Sequence, residues 1–141
     1  MEGRYRPADV LLSSWPSGQT TCYDVTVVSP TQTRYLARAA VEAGVALEGA
    51  ARDKREKHQQ RCQEAGYLFS AKAAETFGGW GKEAVETIKG ISRALARNQA
   101  RQDSEVIAHT FQRLSTTLMR GNASILATRL TVASEDLVGE L

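Results

Sequence analysis

The most constraining stretch of the sequence is the run Thr21–Val28, TCYDVTVV, which is β-branched and aromatic apart from a single aspartate. This composition predicts a largely buried β-strand. Side chains of a strand alternate between the two faces of a sheet, so the even-numbered residues of the run, Asp24 among them, share one face. A carboxylate in the middle of so apolar a strand requires a partner or a chemical role.

The residues before this run predict a second strand that pairs with it. Val10–Trp15 is a short apolar run entered from Pro7, and Pro16–Gly18 is a turn signal between the two runs. We therefore expect a β-hairpin, with Asp9 at the start of its first strand.

A long helix is predicted over residues 33–65, with Gly44 and Gly49 as sites of a bend or of close packing on a sheet. Apolar residues three or four positions apart form a stripe along one side of this helix: Leu36, Ala40, Ala43, Leu47, Ala50 and Ala51. The same stripe continues through Lys54 to His58. We therefore expect Lys54 to face the sheet, where a lysine usually has an acidic partner or a function.

The following residues predict a third strand over Tyr67–Glu75, a glycine-rich loop and a helix over Lys82–Asn98. A further amphipathic helix is expected from Asp103, with a break at Gly121-Asn122 and a last helix beyond it.

The predicted fold class is therefore α/β (α+β). A small mixed sheet begins with a β-hairpin and is flanked by helices, giving a domain over residues 1–98 and a helical C-terminal extension over residues 99–141.

The overall charge of the chain does not by itself indicate a nucleic-acid partner. With 18 basic and 16 acidic residues the formal net charge is +2, so nucleic-acid binding has to come from local clusters. Cys22 and Cys62 lack metal-ligand spacing, and we expect two reduced thiols. The sequence shows no secretory signal and no membrane span. We therefore expect an intracellular protein, nuclear if the host is a eukaryote.

Asp9, Asp24 and Lys54 form the candidate catalytic set. Two carboxylates on neighbouring strands can share Mg²⁺ or Mn²⁺, which activates water and polarises a phosphate. A lysine beside them can stabilise the developing negative charge. Lys57 and Arg61 flank the stripe and could contact a DNA backbone. The alternatives are structural: Asp24 could be a buried aspartate whose hydrogen bonds are satisfied, and Lys54 to Arg61 could be a solvated basic end of the helix.

These residues resemble a known superfamily. Arg6-Pro7-Ala8-Asp9-Val10, a hairpin, Tyr23-Asp24-Val25-Thr26-Val27 and an alanine-rich helix ending in Lys54-Arg-Glu-Lys57-His58 resemble the PD-(D/E)xK pattern. Over residues 4–98 the chain is similar to the restriction-endonuclease-like domain of site-specific retrotransposons that lack long terminal repeats. Three departures are visible. Ala8 is an extra residue in the first motif, and Thr26 stands where the usual lysine would be. The pattern therefore fits a variant whose lysine lies on the following helix. The family also has an earlier strand and often an upstream acidic residue, whereas only MEGRYR precedes the motif here.

The resemblance implies a Mg²⁺-dependent DNA endonuclease in which Asp9 and Asp24 bind the metal and Lys54 is the displaced lysine. It places His58 where a Tyr-like residue stands, and we assign DNA contacts to Arg6, Lys57, His58 and Arg61. Because the family's earlier strand is missing, we expect this chain to be an N-terminally truncated fragment. In the family the nuclease follows a reverse transcriptase, so the resemblance implies that it could be part of a larger reverse transcriptase polyprotein.

Without a preceding strand, the hairpin should have an unprotected edge that favours a homodimer or low solubility. Two other functions stay open: an inactive remnant that binds DNA or a protein, and an interaction module built on the C-terminal helices.

Overall fold

A three-stranded mixed sheet lies at the centre of the computed structural model, which describes residues 8–139, with side chains as far as Thr131. Strands β1 (Val10–Leu12) and β2 (Thr21–Val28) run antiparallel, as a hairpin. Strand β3 (Leu68–Glu75) runs parallel to β2 along its whole length, which gives the order β1-β2-β3. The predicted mixed sheet beginning with a hairpin is confirmed, and β2 has the bounds that its composition indicated.

Four helices flank the sheet. Helices α1 (Thr33–Ala39) and α2 (Val45–Glu64) lie between β2 and β3 in the chain, and α3 (Lys82–Asn98) and α4 (Asp103–Gly139) follow β3. Helix α2 packs on β2 and β3, α3 packs on β3, and α4 packs on α3. The connection through α2 is the long crossover that two adjacent parallel strands require.

The core lies between α2 and the sheet face that carries the even-numbered residues of β2. Small and branched side chains dominate it, because helix and sheet approach closely. One cluster contains Val28, Tyr35, Val45, Ala46 and Ala50, and a second contains Ala51, Ala71 and Ala73.

The helix predicted over residues 33–65 is two helices, and the bend indicated at Gly44 is where they part. The chain turns at Gly44, whose φ of +82° is a left-handed conformation that glycine adopts without steric cost. The break changes the helical phase, so Leu36 is exposed and Tyr35 is buried in its place. The expected stripe therefore holds on α2 but not before it, since Ala40 and Ala43, in the turn between the two helices, are also exposed.

Gly49 marks close packing, but against α1 and not against the sheet. A methyl group at this position would lie 2.6 Å from Cε1 of Tyr35. The absence of a side chain at Gly49 is therefore what allows the Tyr35 ring to lie over α2.

The predicted helix break at Gly121-Asn122 was also wrong, because α4 continues through both residues. A glycine inside a helix costs only about 1 kcal/mol, which the surrounding helix formers can offset. Asn122 donates a hydrogen bond of 3.0 Å from its Nδ2 to the carbonyl oxygen of Thr76, so it ties α4 to the loop after β3.

The two edges of the sheet differ. The loop after β3 pairs with that strand, through a bridge between Trp80 and Ala74 and a hydrogen bond from Gly81 N to Ala73 O. Among residues 8–139, β1 pairs with β2 alone. Dimerisation through this edge stays a prediction.

Candidate functional site

Asp24 lies in the middle of β2 and points toward α2. Its side chain is 8% exposed, and that of Lys54 on α2 is 29% exposed. The Nζ of Lys54 lies 2.8 Å from Oδ2 of Asp24. The contact that the helix phase predicts is therefore present, although it joins residues far apart in the chain.

The ion pair does not use the full acceptor capacity of the carboxylate. Oδ2 of Asp24 is buried, and no donor among the described residues meets it with the geometry of a hydrogen bond. The ammonium of Lys54 is close enough for a strong charge interaction, but its direction of approach is not that of a hydrogen bond. A buried carboxylate oxygen with unused acceptor capacity is unusual, because buried polar atoms are normally hydrogen-bonded.

Asp9 is held against the same strand by a different contact. It lies immediately before β1, and its Oδ2 accepts a hydrogen bond of 2.8 Å from the backbone N–H of Val25. Val25 directly follows Asp24, so the two aspartates meet β2 at neighbouring residues. The hairpin therefore places both aspartates at the same stretch of β2, with Asp9 hydrogen-bonded to the backbone and Asp24 turned toward α2.

His58 lies one turn after Lys54 and faces the sheet. Its Nε2 is 3.7 Å from Oδ2 of Asp24, and its side chain is 18% exposed. Its ring lies 6.2 Å from that of Phe69, centroid to centroid. The structure thus places His58 beside the carboxylate, in the interface between α2 and the sheet.

The other predicted DNA contacts are placed differently. Lys57 is exposed and, together with Lys54, Thr26 and Gln32, lines a groove of about 270 Å³ beside the ion pair. Arg61 is exposed one turn further along α2. Arg6 lies outside the described residues.

The donor set fits a minimal Mg²⁺ site. Mg²⁺ prefers oxygen ligands, keeps several waters and commonly takes only one or two protein carboxylates. Asp9 and Asp24 supply such a pair, and the unused acceptor capacity of Asp24 Oδ2 is consistent with it. Within the described part of the chain, no three His, Cys, Asp or Glu side chains form a group that could hold a metal ion.

Two cysteines lie under the site. Cys22 on β2 and Cys62 on α2 are both fully buried free thiols. Burial raises the pKa of Cys22 to about 12, and the neighbouring Cys62 adds a hydrogen bond and a charge effect in the same direction. Cys62 continues the stripe of Lys54 and His58, so these side chains face β2 as a row.

A second polar cluster, centred on Lys72 of β3, was not anticipated. Its Nζ donates to Ser70 Oγ and to the Glu83 carbonyl, and lies 4.6 Å from the centre of the Tyr23 ring. Burial lowers the pKa of Lys72 to about 8, although nearby Glu83 and Glu86 act in the opposite direction. The available signal was a lone lysine inside the apolar run of β3, the same kind of signal that identified Asp24.

Glu83 joins this cluster to α2. Its carboxylate accepts a hydrogen bond of 2.5 Å from Ser70 Oγ and forms an ion pair with Arg55 of α2. Burial alone would raise its pKa, but the hydrogen bonds from Ser70 and Arg55 and the charges of Arg55 and Lys72 lower it overall. The cluster is internally satisfied, which fits a role in fastening α3 to the sheet.

No helix in the described part of the chain is long and apolar enough to cross a membrane. The chain matches no family model, no curated protein and no solved structure.

Proposed function

We propose that this chain carries a metal-assisted phosphodiesterase site acting on DNA, within a restriction-endonuclease-like domain of retrotransposon origin. The observation that supports it best is the buried Asp24 carboxylate, with the Lys54 ammonium 2.8 Å from its Oδ2. Asp9 meets the same strand one residue later. Two acids and a lysine are the groups that metal-assisted phosphate hydrolysis uses, and the proposal requires that the Asp9 carboxylate turn toward Asp24 when a metal ion binds.

Each residue has a separate role in this proposal. Asp9 and Asp24 would hold Mg²⁺ or Mn²⁺, which when bound supplies a Lewis acid and a water of lowered pKa. Lys54 neutralises charge at Asp24 and is positioned to stabilise negative charge developing on a phosphate. Lys57, in the groove beside the pair, binds the DNA backbone.

A second candidate function is an inactive relative that binds DNA or a protein. In that case Lys54 and Asp24 form a structural ion pair between α2 and the sheet. The observation that favours it is that the ammonium already neutralises the carboxylate. The two functions differ in whether metal ions bind and DNA is cut.

A nicking assay on supercoiled plasmid DNA separates them. We expect the purified chain to nick DNA with Mg²⁺ or Mn²⁺, and Asp24→Asn and Lys54→Ala to abolish nicking. Lys57→Ala should mainly weaken DNA binding. Asp53→Asn is the matched control, because Asp53 is an exposed carboxylate on the same helix, paired with Arg34.

Calorimetric titration with Mn²⁺ gives a readout that does not depend on cleavage. The wild-type chain should bind the ion, and Asp24→Ala should bind it far more weakly. Equal affinity in the two proteins would rule out the metal site. Absence of nicking by a folded wild-type chain would favour the inactive relative, and nicking that does not depend on metal ions would contradict the metal-assisted site.

A further inference from the structure

Helix α4 contains a long stretch without negative charge. Between Glu105 and Glu135 the sequence has no aspartate or glutamate, but it has three arginines, Arg113, Arg120 and Arg129. The chain as a whole is close to charge balance. The stretch is therefore a local cationic segment of the kind that bulk net charge does not reveal.

Polar donors of this segment lie along one side of the helix. Six exposed residues line one shallow groove: His109, Gln112, Arg113, Thr116, Thr117 and Arg120. Steps of three and four residues place side chains on the same side of a helix. The groove therefore presents two guanidinium groups, an imidazole and an amide in one row, whereas the hydroxyls of Thr116 and Thr117 donate to carbonyl groups of the helix itself.

The two arginines of the groove are not neutralised. Arg113 and Arg120 make no ion pair with any residue in the described part of the chain. Other exposed arginines do, as Arg101 pairs with Glu105 at 2.6 Å and Arg38 with Glu42 at 3.2 Å. The positive charge of Arg113 and Arg120 is thus available to an external anion.

We infer that this side of α4 binds the phosphate backbone of duplex DNA. An acid-free row of cationic and hydrogen-bonding side chains is complementary to a polyanion, and such contacts carry no sequence information. Arg113 and Arg120 are two turns apart, about 10 Å along the axis, so they reach separate phosphates.

Other polyanions fit the groove less well. Single-stranded nucleic acid is usually held on aromatic side chains, and the row has no Trp, Tyr or Phe. A membrane surface is usually bound by a helix that inserts an apolar side. The six residues of the groove are all polar, and the exposed apolar residues of α4, Met119, Ile125, Leu126 and Leu130, are not among them.

This surface is separate from the proposed catalytic site. Helix α4 packs on α3, whereas Lys54 lies on α2, which packs on β2 and β3. DNA binding by α4 does not require the chain to cut DNA. The inference therefore stands or falls independently of the proposed function.

Fluorescence anisotropy with a labelled 30-base-pair duplex tests the inference on the full chain, in EDTA to prevent cleavage. The double variant Arg113→Gln/Arg120→Gln should reduce the slope of log K against log salt by about 1.8, or 0.9 for each lost phosphate contact. Its affinity at 50 mM salt should fall roughly tenfold. Both positions are exposed, and circular dichroism should show an unchanged fold.

Two controls sharpen the result. Arg38→Gln removes one charge from α1, which does not contact α4, and should leave the salt slope unchanged. The second control is the ligand: a 30-base-pair RNA duplex and phosphatidylserine vesicles are titrated with the wild-type chain and the double variant. Equal slopes and affinities for the wild-type chain and the double variant would overturn the inference. It would also be overturned if the arginines mattered only for duplex RNA or for phosphatidylserine vesicles.

Discussion

At the residue scale, the most informative signal was a charged side chain in an apolar strand. Asp24 in β2 and the helix phase of Lys54 together predict their contact, because a buried carboxylate needs compensation and only one side of α2 faces the sheet. Lys72 in β3 gives the same kind of signal, but its partner Glu83 belongs to another helix. The Lys72 cluster was missed because the path of α3 across the sheet depends on tertiary packing.

Removing Lys54 should cost stability as well as any activity. Lys54→Ala leaves a buried carboxylate without its cation, so we expect a loss of about 3 kcal/mol in the free energy of unfolding. Urea denaturation at neutral pH measures it. The double variant Asp24→Leu/Lys54→Met should recover most of the loss, because apolar residues of similar size often replace a buried ion pair without cost. If the double variant is no more stable than Lys54→Ala, the pair is not what stabilises this interface.

Lys72 should give the protein a measurable pH dependence in the alkaline range. Its pKa is lowered from 10.5 to about 8, so the folded chain binds fewer protons than the unfolded chain between these values. Stability then rises with pH across this window, because deprotonation relieves the cost of burying the ammonium. The unfolding free energy of the wild-type chain minus that of Lys72→Met should therefore increase from pH 8 to about 9.5, because the methionine does not titrate. A constant difference would show that Lys72 titrates normally.

At the element scale, composition predicts the strands and most helical residues, but not the ends of the helices. Gly44 and Gly121 are both glycines in helix-forming surroundings, yet α2 starts after the first and α4 passes through the second. The difference is tertiary: at Gly44 the left-handed turn lets Tyr35 reach the core, whereas Asn122 bonds to Thr76 in an unbroken helix. Neither contact can be seen from local sequence.

Two glycine substitutions should have opposite effects. Gly49→Ala forces a methyl group to within 2.6 Å of Tyr35, and should destabilise the chain by about 2 kcal/mol. Gly121→Ala meets no atom within 4 Å, and should stabilise α4 by about 1 kcal/mol. Thermal unfolding of the two variants beside the wild-type chain is a direct comparison. Destabilisation by Gly121→Ala would mean that this part of α4 is not a regular helix.

At the scale of the whole molecule, α4 packs on α3 and on the loop after β3. Val106 is 2% exposed, and the ring of Phe111 meets the edge of Trp80 with centroids 6.3 Å apart. The sequence predicts a division of the chain after residue 98, and the contact between Trp80 and Phe111 joins the two parts. Periodicity predicts that α4 has an apolar stripe, although it does not show which surface the stripe covers.

Truncation after Asn98 should therefore expose apolar surface. We expect a chain of residues 1–98 to bind a hydrophobic dye and to unfold at a lower temperature than the full chain. Loss of the Val106 and Phe111 contacts is the physical reason. An equally stable and soluble fragment would show that the α3–α4 contact contributes little.

The parallel pairing of β2 with β3 also has a consequence for how fast the chain can fold. Asp24 lies opposite Ala71, so residues nearly fifty positions apart have to meet before the strands can join. Such high contact order slows folding, because the entropy of closing a long loop is lost before the contacts form. The Lys54–Asp24 pair should accordingly assemble late, with the closed β2–α2–β3 unit. While the hairpin β1–β2 alone has been synthesised, Asp24 has not yet met its cationic partner, because Lys54 belongs to α2.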